Sequence, residues 1–121
     1  MKEAIFDRNG QPQHFLEDIG FYELSGSPVA FLEGENVVRY TGRHLGWFRN
    51  GFIIDSTGDA VGFVQNAHDG PGLPAVKIIP EVPQAKAAPV PPIFKIWPKP
   101  PAFTLKWSPR TLNQFFRGAL L

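Results

Sequence analysis

Apolar side chains in the first half of the chain come in adjacent pairs, and the pairs return every 16 residues. Ile5-Phe6, Phe21-Tyr22, Val37-Val38 and Ile53-Ile54 form one series. Phe15-Leu16, Phe31-Leu32, Trp47-Phe48 and Phe63-Val64 form the other. Between them lie polar stretches around Gly10, Gly26, Gly42 and Gly58, each glycine preceded by Asn9, Ser25, Thr41 or Thr57. Such a period marks a repeated supersecondary unit. Asp7-Arg8-Asn9-Gly10 and Asp55-Ser56-Thr57-Gly58 read as hairpin turns: Asp opens a type I turn and glycine takes the positive-φ position of a bulge. Glu23-Leu24-Ser25-Gly26 and Arg39-Tyr40-Thr41-Gly42 occupy the same frame. Further turn signals fall at Asp18, Gly34-Glu35-Asn36, Asn50-Gly51 and Asn66, with Asn50-Gly51 the type I′ pattern of a two-residue hairpin loop. The spacing predicts eight short strands in a meander, arranged as four equivalent hairpins.

A strand with one wet face alternates apolar and polar residues. Here two neighbours are apolar together, and neighbours point to opposite faces, so each hairpin is buried on both faces at the end far from its glycine. The glycine ends are polar on both. Greasy roots of four hairpins should therefore converge on one core. Ala30, Gly46 and Gly62, next to the aromatics, allow close approach of backbones.

The pattern changes after residue 69. Residues 70–107 hold ten prolines, which excludes helix and central strands. They also hold Ile78, Ile79, Ile93, Phe94, Ile96, Trp97, Phe103 and Trp107, too apolar for a solvated linker. An extended strap packed on the hairpins of its own or a neighbouring subunit is expected. Ser108-Pro109 then opens a short helix, with Thr111-x-x-Gln114 as an alternative capping box. Leu112, Phe115, Phe116, Ala119 and Leu120 share one apolar face at helical spacing. The organisation is thus all-β: a four-hairpin repeat over 1–69, a Pro/Lys-rich strap over 70–107 and a short amphipathic helix over 108–121.

The runs Ile5-Phe-Asp-Arg-Asn-Gly-Gln-Pro, Tyr22-Glu-Leu-Ser-Gly-Ser-Pro-Val-Ala-Phe-Leu and Gly42-Arg-His-Leu-Gly-Trp-Phe-Arg-Asn-Gly-Phe-Ile-Ile-Asp resemble the bacterial four-fold beta-flower proteins. The block His44-Leu45-Gly46-Trp47-Phe48 with Asn50-Gly51 and Asp55 is the most specific part of that likeness. The resemblance implies a β-hairpin architecture and no activity.

Charge divides the chain in the same place as proline. Residues 1–69 carry five Lys/Arg against ten Asp/Glu, and residues 70–121 carry seven Lys/Arg against Glu81 alone. Opposite signs favour docking of the strap on the repeats. The lysines are dispersed rather than clustered, so no nucleic-acid partner is expected. Cysteine is absent, which removes disulfides and thiol chemistry and fits a reducing, cytoplasmic setting. No segment reads as a signal peptide or membrane span.

Catalytic signatures are missing. His14, His44 and His68 show no metal-ligand spacing, and no phosphate-binding glycine loop or nucleophile elbow is present. Neither metal nor cofactor is expected. The reading is a non-enzymatic interaction or assembly module that forms a homo-oligomer, with the face of Leu112, Phe115, Phe116 and Leu120 as candidate contact. An alternative is a carbohydrate- or peptide-binding module using polar hairpin tips at Arg39, Tyr40, Arg43, His44 and Asp55. A remote alternative is a small hydrolase using His44 and Asp55.

Overall fold

The computed structural model describes residues 2–79, 81, 84–92 and 96–118. Eight antiparallel strands follow one another around a closed barrel: β1 (Lys2–Phe6), β2 (Pro12–Glu17), β3 (Gly20–Glu23), β4 (Pro28–Glu33), β5 (Asn36–Val38), β6 (His44–Arg49), β7 (Phe52–Ile54) and β8 (Ala60–Phe63). Strand β8 returns to β1 through Phe6 and Phe63, so the meander has no free edge. Helix α1 (Leu112–Arg117) ends the described chain.

Each glycine turn is built alike. Gly10, Gly26, Gly42 and Gly58 have φ of 78°, 94°, 95° and 90°, the left-handed region where a Cβ is disfavoured. The N–H of each glycine donates to the carbonyl of Asp7, Glu23, Arg39 or Asp55, closing the turn. The ladder then slips by one residue, leaving Gln13, Val29, Leu45 and Val61 as the extra residue of four equivalent bulges. Asp18, Gly34, Asn50 and Asn66 take positive φ at the opposite barrel end, again 16 residues apart.

Closure explains the paired apolar residues. One member of each pair turns into the barrel: Ile5, Leu16, Phe21, Val37, Ile53 and Val64 form a single inner cluster, with Leu32 and Phe48 packed against it. The other faces outward, where Phe15 stacks on Tyr22 at 5.1 Å, Phe31 meets Tyr40 at 5.2 Å and Phe63 stacks on Phe6 at 5.4 Å. The strap covers part of this outer layer. Phe103 and Trp107 pack on an outer cluster of Phe6, Phe52, Ile54, Ala60 and Phe63. Trp97 donates its indole N–H to Glu33 at 2.7 Å. The strap therefore docks on the hairpins of its own chain.

A second period, nine residues long, runs through that strap. Ala75-Val76-Lys77, Gln84-Ala85-Lys86 and Ala102-Phe103-Thr104 align with one another, and Pro80, Pro89 and Pro98 follow at the same interval. Its hydrogen bonds follow the barrel repeat. The N–H of Lys77 donates to Gly10 O, that of Lys86 to Gly26 O and that of Thr104 to Gly58 O, each at 2.9 Å. Lys95, the remaining member of the series, lies outside the described residues, as do Ile93 and Phe94. The last strap repeat also pairs with β8, Ala60 and Trp107 forming a parallel bridge.

The helix differs from its expected form. Thr111 is the N-cap: its hydroxyl accepts from the Gln114 N–H while the Gln114 side chain accepts from the Thr111 N–H. Ser108 does not cap it, because its hydroxyl donates to Asp55 at 2.6 Å. Leu112, Phe115 and Phe116 enter the inner cluster and close the glycine end of the barrel. They fit because three of four equivalent inward positions are small. A Cβ on Gly46 would come within 2.8 Å of the Phe115 ring, and one on Gly62 within 2.7 Å of Leu112. The same two glycines also admit the backbone carbonyls of Ile54 and Phe6, so close backbone approach holds as well.

Turn geometry and strap contact can be separated experimentally. A Cβ on Gly10 would lie 2.1 Å from Ala75 O in the strap, whereas a Cβ on Gly34, also at positive φ, meets nothing within 4 Å. Gly34→Ala should cost about 1 kcal/mol of left-handed strain, and Gly10→Ala about 2–3 kcal/mol, the strap contact being lost as well. Urea unfolding of the two variants measures the difference.

Candidate functional site

Two of the cavities beside α1 at the glycine end of the barrel take up the hairpin-tip residues. The first, about 250 Å³, is lined by Arg43, His44, Asp55, Ser56, Arg110 and Gln114 among others. Asp55 is 1 % exposed and fully engaged. It accepts from the hydroxyls of Ser108 at 2.6 Å and Thr57 at 2.7 Å, from Arg110 at 3.2 Å, and from the N–H groups of Thr57 and Asp59 at 3.0 Å. Burial pushes its carboxyl pKa up, but the hydrogen bonds from Ser108, Thr57 and the turn amides outweigh it and leave the pKa below the ordinary value. A carboxylate so bound fastens the fourth turn to the start of the terminal segment.

His44 does not meet Asp55. Its Nε2 lies 2.9 Å from Asn36 Oδ1, and its ring packs against Trp47 at 4.8 Å and Trp97 at 5.7 Å. Burial lowers its pKa. The two residues proposed for hydrolytic chemistry thus have separate partners.

The second cavity, about 290 Å³, opens between the second and third glycine turns, α1 and the strap. Arg39 and Tyr40 line it together with His14, Glu23, Asn113 and Arg117. The five hairpin-tip residues read from the sequence are therefore divided: Arg39 and Tyr40 belong here, and Arg43, His44 and Asp55 to the first cavity. Arg39 donates to the carbonyl oxygen of Arg117, tying the third turn to the end of α1. Burial, then the neighbouring Tyr22, raises the Tyr40 pKa.

His14 was not among the expected site residues, although the repeat frame singles it out. Ala30, Gly46 and Gly62 stand at its equivalents. Its ring packs on Phe116 at 4.6 Å, and burial lowers its pKa to about 4. Ser108 and Arg110 carry no pattern that would have marked them as partners of Asp55; that pairing appears only when the terminal segment is seated.

The expected oligomer contact has a different role. Leu112, Phe115 and Phe116 are at most 4 % exposed inside the chain's own barrel, so this face is spent within the monomer. Its apolar pattern is what the open end of a barrel requires. Leu120 lies outside the described residues. Among the described residues no cluster of three metal-ligating side chains occurs, and no helix is long and apolar enough to cross a membrane.

A family described as 4-fold beta flower protein matches residues 3–116 of this chain. No curated protein and no solved structure matches it.

His14 makes stability depend on pH. Its folded pKa of about 4 lies below the ordinary 6.5, so the unfolded chain binds more protons between those values and stability falls as pH drops from 6.5 to 4. The His14 share is about 3 kcal/mol. His44, whose pKa burial also lowers from 6.5, adds sensitivity in the same window, and Asp55, with its lowered pKa, adds its own at more acid pH. His14→Ala, the residue found in the second repeat, should therefore flatten the pH 6.5–4 profile without abolishing it, as denaturant titrations at a series of pH values would show.

Proposed function

The chain belongs to the 4-fold beta flower protein family, and for it we propose a non-enzymatic interaction module that assembles with further copies of itself in the cytoplasm. One observation carries this reading: the strap turns aliphatic side chains to solvent at the barrel's periphery. Ile78 and Ile96 are each 93 % exposed, and Leu105, the next position in the nine-residue period, is 55 % exposed. Val90 adds a further exposed aliphatic side chain. Isolated exposed aliphatics are ordinary, but a series held at fixed intervals on an ordered segment is a surface suited to a partner.

A second copy of the chain is the occupant that fits the spacing. Two belts with the same interval can pack against each other around a two-fold axis, each side chain meeting its counterpart's patch. Proline also limits how they can meet. Pro89, Pro91, Pro92, Pro98, Pro100 and Pro101 supply no N–H donors, which disfavours strand addition and favours side-chain packing. The absence of cysteine supports the cytoplasmic part of the proposal.

Mass and stability test it together. The intact protein should run as a dimer or larger in light scattering at high micromolar concentration. Ile78→Lys with Ile96→Lys and Leu105→Lys should return it to a monomer while shifting unfolding stability by only about 0.5 kcal/mol, since these side chains are exposed. A monomeric wild type, or a triple variant of unchanged mass, contradicts the proposal.

A further inference from the structure

The His14 ring packs on Phe116, but packing alone does not call for a polar ring there. The equivalent positions hold Ala30, Gly46 and Gly62, none of them polar. Instead the chain buries an imidazole, 1 % exposed, whose Nδ1 has no hydrogen-bond partner among the described residues. An unmet buried polar atom is a standing cost, and this one belongs to a residue that lines the second cavity.

The charges around that cavity are also uncommitted. Glu23, Arg39 and Arg117 all line it, yet no salt bridge joins Glu23 to either arginine. Arg39 is held in place by the Arg117 carbonyl oxygen, and the side chains of Glu23 and Arg117 form no hydrogen bond among the described residues. Cations and a carboxylate thus share one opening without neutralising each other. Val29, Phe116 and Pro89 supply apolar wall between them. The volume, about 290 Å³, is room for roughly ten water-sized groups at ~30 Å³ each.

We propose that this cavity binds a free α-amino acid with an aliphatic side chain. Its carboxylate faces Arg39 and Arg117, and its ammonium faces Glu23. The side chain lies on Phe116 and Val29. His14, neutral at pH 7 because burial lowers its pKa to about 4, adds no charge to the wall. The arrangement complements a zwitterion: a simple anion would leave Glu23 opposed to it, and a simple cation would leave two arginines opposed. The inference stands apart from self-assembly, since neither Ile78, Ile96 nor Leu105 lines this cavity.

Isothermal titration of the full chain with L-leucine tests it. Saturable binding is expected, at least tenfold tighter than for leucinamide, which lacks the carboxylate, and for 4-methylpentanoate, which lacks the ammonium. Glu23→Gln and Arg117→Ala should each weaken L-leucine at least tenfold, and both side chains are exposed enough to be replaced without disturbing the barrel. No binding at 10 mM L-leucine overturns the proposal. Equal binding of 4-methylpentanoate, or an unchanged affinity in both variants, overturns it as well.

Discussion

Four glycines held in left-handed backbone set the terms for everything else in this molecule. That conformation closes each hairpin turn and, with no Cβ in the way, lets the strap run directly over the tip. At Gly10, Gly26 and Gly58 the glycine carbonyl accepts a strap N–H. The turn is therefore also the anchor. A strap fixed at these points covers part of the outer apolar layer, and a covered outer layer is what permits strands to be apolar on adjacent residues.

The interior obeys a complementary constraint. A barrel of short strands leaves an open mouth, and α1 fills it with Leu112, Phe115 and Phe116. Burying each such side chain contributes about 1.5–3 kcal/mol, which a helix of six residues could not supply through its own hydrogen bonds. The Thr111–Gln114 capping box and the left-handed Gly118 cap stop it at both ends. Asp55 then links the systems: it closes the fourth turn and receives Ser108 and Arg110 from the segment leading into α1. The strap, plug and barrel are in this sense one cooperative unit.

Much of this was legible in the sequence because repetition amplifies weak signals. One Asp-Arg-Asn-Gly run suggests a turn; four glycines at one interval fix the hairpin length and the phase of every strand. The strap's apolar content showed in the same way that it must pack. Closure of β8 on β1 was less accessible, since it rests on a single pair, Phe6 and Phe63, distant in sequence. The helix face was read as amphipathic, but amphipathicity does not say whether the partner is another chain or the same barrel. Ala30, Gly46 and Gly62 held that answer, because small inward residues imply a guest. The nine-residue strap period was present too, hidden by alanines at Ala85, Ala87 and Ala88 where the other repeats carry larger residues. Of the residues lining the second cavity, Arg39 and Tyr40 are legible as polar groups on a turn. The burial of His14 depends on strand phase and helix docking together, and only the assembled barrel reveals it.

The belt's attachment to the glycine turns is the centre of this account, and amide hydrogen exchange addresses it residue by residue. The N–H groups of Lys77, Lys86 and Thr104 donate to turn carbonyls although their side chains are exposed. They should exchange with protection approaching that of the β2 and β6 ladder amides, because freeing them requires the belt to lift. Exchange of these three amides at the rate of an unstructured peptide, while the barrel stays protected, would show a strap that merely trails from the hairpins and would contradict the account.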